Sequence, residues 1–122
     1  MPTLLPVSAV FAETINGLLH VNDKARISHL GKDIINLRKS LGADTNIQVV
    51  INGRAVTAML NGNKLIEEKV QSMRKQNANT GISHYAMRNN NVIEDRLVEG
   101  ASILQEGGVV TILSCSRKAI FT

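Results

Sequence analysis

The sequence predicts an α/β domain built on a mainly parallel sheet. Two observations carry that expectation. Short β-branched runs bounded by turn residues recur along the chain, as in Ile47, Val49, Val50 and Ile51 before Asn52-Gly53, the pattern of buried strands. Between them lie stretches with apolar residues at spacings of three and four, the pattern of amphipathic helices. Strands alternating with helices imply crossover connections, hence parallel pairing. Helices are then expected on both faces of the sheet.

Taken in order, residues 1–13 (MPTLLPVSAVFAE) are apolar, with two prolines and no basic residue. Val10-Phe11-Ala12 fits the small-residue pattern before a signal-peptidase cut. The stretch reads as the end of a signal peptide whose start lies upstream, or as an apolar arm packed on this chain or a neighbour. Residues 1–14 are therefore set apart from a single domain at 15–122. The expected compartment is cytoplasmic, or periplasmic if residues 1–12 are the end of a signal peptide.

Residues 15–21 (INGLLHV) predict the first strand, and Asn22-Asp23 a turn and helix cap. A helix is expected over 25–41, with Ile27, Leu30, Ile34, Leu37 and Leu41 on one face and Gly42 as its stop. The central strand follows, then a short helix or turn at 56–60. Asn61-Gly62-Asn63 predicts a break and a cap. A second helix is expected over 64–76 with Leu65, Ile66, Val70 and Met73 inward. Residues 77–81 read as a polar turn, 82–87 (ISHYAM) as a third strand or strand end, 92–97 as a helical turn and 108–113 (GVVTIL) as the last strand. Ser114 is placed to cap a short terminal helix.

Composition removes several function classes. The chain has 122 residues, 43% hydrophobic and 20% charged, which suits one globular core. No apolar run reaches the ~18 residues of a membrane span. Net charge is +4, but Lys and Arg are dispersed with acids between many of them. Phe11, Tyr85 and Phe121 are the only aromatics. A nucleic-acid face needs clustered cations and stacking rings, so no nucleic-acid partner is expected. No phosphate-loop, dinucleotide or metal-ligand motif is present, and neither a cofactor nor a metal is expected.

Ligands of open α/β sheets sit at the carboxyl ends of strands. That places Asn52, Gly53 and Arg54 on one lip of the expected cleft. His20, near the end of the first strand, and His84, in the expected third strand, converge on the same cleft if those strands are neighbours; otherwise each hydrogen-bonds locally. His29 reads as a surface residue of the first helix. Cys115 is the only thiol. It is either a small buried hydrophobe or, in Ser114-Cys115-Ser116-Arg117-Lys118, a thiol activated by a helix start and basic neighbours. The apolar arm and the scarcity of aromatics suggest surface covered by other copies, hence a homo-oligomer.

The ordered set LLHVND, the helix with Ile34-Ile35-Asn36-Leu37, IQVVINGRAV, SHYAMRNNNVIEDRL and VEGASILQEGGVVTILSCS resembles the DsrE/DsrF-like, or YchN-like, family of small sulfur-relay proteins. The match covers about residues 15–116, and Met87, Arg88, Val92 and Leu97 fall at the family's offsets without a gap. The resemblance implies a three-layer α/β/α sandwich with a mainly parallel five-stranded sheet. It also implies trimers or hexamers with the site near subunit contacts. The implied chemistry is a conserved cysteine that carries sulfur as a persulfide and passes it to a sulfur-relay partner protein.

The family cysteine falls on Ser83. A serine hydroxyl cannot hold sulfur as a persulfide. Three readings follow. The first is an oligomeric small-ligand or partner-binding protein that uses Asn52, Gly53, Ser83, His84 and His20. The second is a sulfur carrier with Cys115 as a displaced thiol. The third is a hydrolase with Ser83 as nucleophile, which needs a base in reach; His84 would point to the opposite face of a strand from Ser83.

Overall fold

The structure is a computed structural model that describes residues 17–108. Four strands, β1 (Gly17–Val21), β2 (Ile47–Ile51), β3 (Ala78–Ser83) and β4 (Ser102–Leu104), form one sheet in the order β1-β2-β3-β4. All three pairings are parallel, and the register sets His20 beside Val50 and Val50 beside Gly81. Three α-helices connect them: α1 (Leu30–Leu41), α2 (Lys64–Lys75) and α3 (His84–Asn89). Three 3-10 segments, Lys24–His29, Gly53–Ala58 and Glu94–Arg96, complete the connections.

Sequential parallel strands joined by crossovers of one hand put the connecting helices on one side of the sheet. The core follows that rule. Leu19, Val21, Ile47, Val49, Ile51, Ala78 and Ile82 meet Ile27, Ile34, Leu37, Val56, Val70 and Met87 in one cluster. Within residues 17–108 the connecting helices pack on this face, and the α/β class expected from the sequence, a parallel sheet with helices, is what the structure has. On the second face Leu18 and Val50 are fully buried, with Leu104 packed on them. Gly108, the last described residue, is helical and lies so close over Val50 that a Cβ would stand 2.9 Å from its Cγ1. The reading of a strand starting at Gly108 is corrected there; the rest of that expected strand, residues 109–113, is outside the described residues, as are the 1–14 arm and Cys115.

Local chemistry explains where the elements begin. The carboxylate of Asp23 accepts from the Ala25 N–H and starts the 3-10 turn Lys24–His29, which passes into α1 where one continuous helix was expected. Gly42, at φ 109, ends α1 with its N–H on the Arg38 carbonyl. Asn63 caps α2 by accepting from the Ile66 N–H. Ile66, Val70 and Met73 bury the inner face of α2, each contributing about 1.5–3 kcal/mol of apolar burial. Leu65, expected inward, is 76% exposed: it lies one residue off the 3.6-residue stripe that the other three define.

The larger correction concerns β3. Residues 77–81 read as a turn because Asn77, Asn79 and Gly81 are poor strand formers. Ala78–Ser83 is instead an interior strand between β2 and β4. Gly81 leaves room there for its neighbours' side chains: a Cβ would fall 2.7 Å from Gln48 Nε2 and 2.8 Å from Leu104 Cδ2, so that both would have to shift. Tertiary pairing overrides local propensity.

Candidate functional site at the carboxyl edge of the sheet

Parallel strands end on one edge, and here they end on Asn22, Asn52, Ser83 and the turn after Leu104. Each segment is held by a specific bond. The Asn52 N–H donates to the Val21 carbonyl at 2.8 Å and the Ala55 N–H to the Asn22 carbonyl at 3.2 Å. Gly53 turns the chain at φ 55, with its Cα facing Asn22: a Cβ would sit 3.5 Å from the Asn22 carbonyl oxygen. The Asn90 amide donates to the Gly53 carbonyl at 3.3 Å and to the Ala86 carbonyl at 2.8 Å. It thereby ties the end of α3 to the turn after β2.

Strand alternation then sorts the side chains. Leu18, Val50 and Leu104 share the second face, so His20, Gly81 and Ser83, two residues from them or in register with them, share it too. Gly108 approaches Asn52 as well as Val50 on that face. Asn52 and Ser83 therefore stand side by side on that face, on strands about 4.8 Å apart, with His20 two residues further from the edge, in the row of Val50 and Gly81. His20 is half-buried and its Nε2 is buried with no hydrogen-bond partner among the described residues. Burial pushes its pKa below the ordinary histidine value, partly opposed by a hydrogen bond with the Asn22 side chain.

Ser83 is 2% exposed. It is the last residue of β3 and the N-cap of α3, its Oγ accepting from the Ala86 N–H at 3.3 Å. Among the described residues no imidazole or carboxylate bonds that hydroxyl. His84 is corrected from a strand position to the first residue of α3. Its ring lies 5.8 Å from that of Tyr85, tilted by 44°. Arg54 is exposed at the start of the 3-10 turn, where its carbonyl accepts from the Thr57 hydroxyl. Among the described residues no group of three or more His, Cys, Asp or Glu is placed to hold a metal ion. No helix among them is long and apolar enough to cross a membrane.

Three contributors escaped the sequence reading. Asn22 was read as a turn and cap, yet its carbonyl and side chain face Gly53 and His20. Asn90 was read as a break, yet it bridges two segments of the edge. Tyr85, 57% exposed, stands beside Gly107, where a Cβ would come within 2.8 Å of its ring. The signal for the cap at Ser83 was present: a serine directly before a short run that can turn helical.

No family model and no curated protein matches the chain. Solved structures do. The chain is similar to the protein of unknown function MTH1491 from Methanobacterium thermoautotrophicum, at 18% identity and a TM-score of 0.71. It is also similar to the ychN protein from E. coli, at 19% identity and a TM-score of 0.66. Each alignment covers 87% of this chain and 98% of the other. At such identities the likeness is one of fold, and the fold is YchN-like.

Proposed function

We propose that this chain is a DsrE-like protein that binds a small ligand or a partner protein at the carboxyl edge of its sheet and does not carry sulfur there as a persulfide. The observation that carries the reading is Ser83. At the position where the resemblance puts the carrier cysteine, this chain has a buried hydroxyl engaged in capping α3. Persulfide formation requires a thiolate to attack the sulfane sulfur of a donor, with the donor's remainder leaving on the electron pair; an alcohol forms no such S–S bond. What remains at the edge suits recognition: the amides of Asn22 and Asn52, the imidazoles of His20 and His84, the exposed ring of Tyr85 and the guanidinium of Arg54. The reading includes a trimer or hexamer, supported by the resemblance. A monomer in light scattering at working concentration removes that part.

The test is intact mass after incubation with inorganic polysulfide, on the wild type and on Cys115→Ser. The expected result is no stable sulfur adduct on either. A gain of one sulfur atom that disappears in Cys115→Ser overturns the reading and makes the protein a carrier with a displaced thiol.

A further inference from the structure

A cleft borders the edge, between the Gly53–Ala58 turn, the end of α3 and the Glu94–Arg96 turn. Its volume is about 310 Å³, at the small end of the ~300–1,000 Å³ range of ligand pockets. Leu60, Val92 and Ile93 supply apolar lining, and Thr57, Asn90, Asn91 and Arg96 supply polar groups. Ile93 is 61% exposed, an apolar side chain that the core does not use.

The frame of the cleft is fixed by backbone bonds. The Asn61 N–H donates to the Arg96 carbonyl at 2.8 Å and the Val98 N–H to the Met59 carbonyl at 2.9 Å. Leu60 pairs with Leu97 in an antiparallel bridge, and the Asn61 amide holds the Asp95 carbonyl at 3.0 Å. Asn91 keeps a left-handed backbone, φ 57, between α3 and the Glu94–Arg96 turn.

The charge at the cleft is one-signed. Arg96 is the only ionic side chain lining it. Its guanidinium has no ion pair or side-chain hydrogen bond among the described residues. Glu94 and Asp95 share its turn but do not line the cleft. The amide nitrogen of Asn90 is committed to Gly53 and Ala86. A single planar guanidinium fork matches one carboxylate bidentately, and the apolar wall suits a short alkyl chain. We infer that this cleft binds a small aliphatic monocarboxylate, with the carboxylate on Arg96 and the alkyl chain against Leu60, Val92 and Ile93. The inference stands independently of the edge site, to which the cleft is linked through the Asn90–Gly53 bond.

Hexanoate is the probe, titrated into the full-length protein and followed by NMR at the Ile93 methyl groups and the Asn90 and Asn91 side-chain amides. Saturable shifts at these groups are expected, with a Kd on the order of 1 mM for so small a ligand. Arg96→Gln is expected to weaken binding at least fivefold, and Ile93→Ser by about threefold. Lys39→Gln, which removes an exposed charge on α1, should leave it unchanged. Both cleft residues are exposed, so neither substitution threatens the fold. Shifts that do not saturate, shifts confined to other residues, or equal affinity in wild type and Arg96→Gln overturn the inference.

Discussion

Replacing Ser83 with alanine removes one acceptor and nothing else of size. The Oγ accepts from the Ala86 N–H at 3.3 Å, in a site only 2% exposed. Loss of an N-cap serine costs about 0.5–2 kcal/mol. Burial raises the cost, because water cannot replace the lost acceptor and an unsatisfied buried donor costs about 1–3 kcal/mol. The long bond lowers it, since 3.3 Å lies beyond the usual N–H···O range. We expect a destabilisation of about 1.5 kcal/mol, most of it local to the six-residue α3. For a chain of this length, at ~2.1 cal/mol/K per residue, that is a fall in Tm of about 6 °C. Urea unfolding reads the free energy, and hydrogen exchange reads the Ala86 amide directly. A stability within about 0.3 kcal/mol of wild type, with Ala86 exchange unchanged, refutes the assignment of Ser83 as a cap.

Other outcomes follow from the same structure. Gly81→Ala forces a Cβ against Gln48 and Leu104 at 2.7–2.8 Å and should cost about 1–3 kcal/mol in urea unfolding; a neutral result would mean that both side chains swing away freely. Leu65→Ser should change stability by less than about 0.5 kcal/mol, whereas Ile66→Ala, one residue on but 8% exposed, should cost about 2–4 kcal/mol. His20 titrates below the ordinary value in the fold because burial disfavours its cation. The unfolded chain therefore binds the proton more readily, so stability is complete above the unfolded pKa of ~6.5 and declines as pH falls from there through the folded pKa. Unfolding curves between pH 7.5 and pH 5 should show that decline in the wild type and less of it in His20→Gln; equal slopes would remove His20 as its source.

The elements with a strong period were legible in the sequence. The stripe Ile27, Leu30, Ile34 and Leu37 and the β-branched run at 47–51 both emerged as read, as did the caps at Asp23 and Asn63. The interior strand Ala78–Ser83 was not legible, since Asn79 and Gly81 are poor strand formers on either side of Thr80 and leave no run of strand formers. Their conformation is set by two neighbouring strands and by side chains folded over Gly81. With the strand running Ala78–Ser83, His84 becomes the first residue of α3, and Ser83, the last residue of β3, also caps it. The strand ends carrying His20, Asn52 and Ser83 could be placed on one edge from parallel topology alone. The Asn90 bridge could not, because it joins residues 37 apart through a side chain in a run of three asparagines. The Arg96 cleft was equally hidden, being assembled from two segments, Thr57 to Leu60 and Asn90 to Arg96, that lie about 30 residues apart in sequence.

Position 83 is structural and closed, and a single-thiol protein measures that directly. Ser83→Cys combined with Cys115→Ser leaves one cysteine, whose reaction with a disulfide reagent can be timed in the folded protein and in urea. Labelling of the folded protein should be slower by on the order of 100-fold or more, limited by local opening of the β3–α3 junction. Labelling at the rate of a free exposed thiol would contradict it. Position 83 would then be an open reactive centre, and the serine there would demand a chemical explanation instead of a structural one.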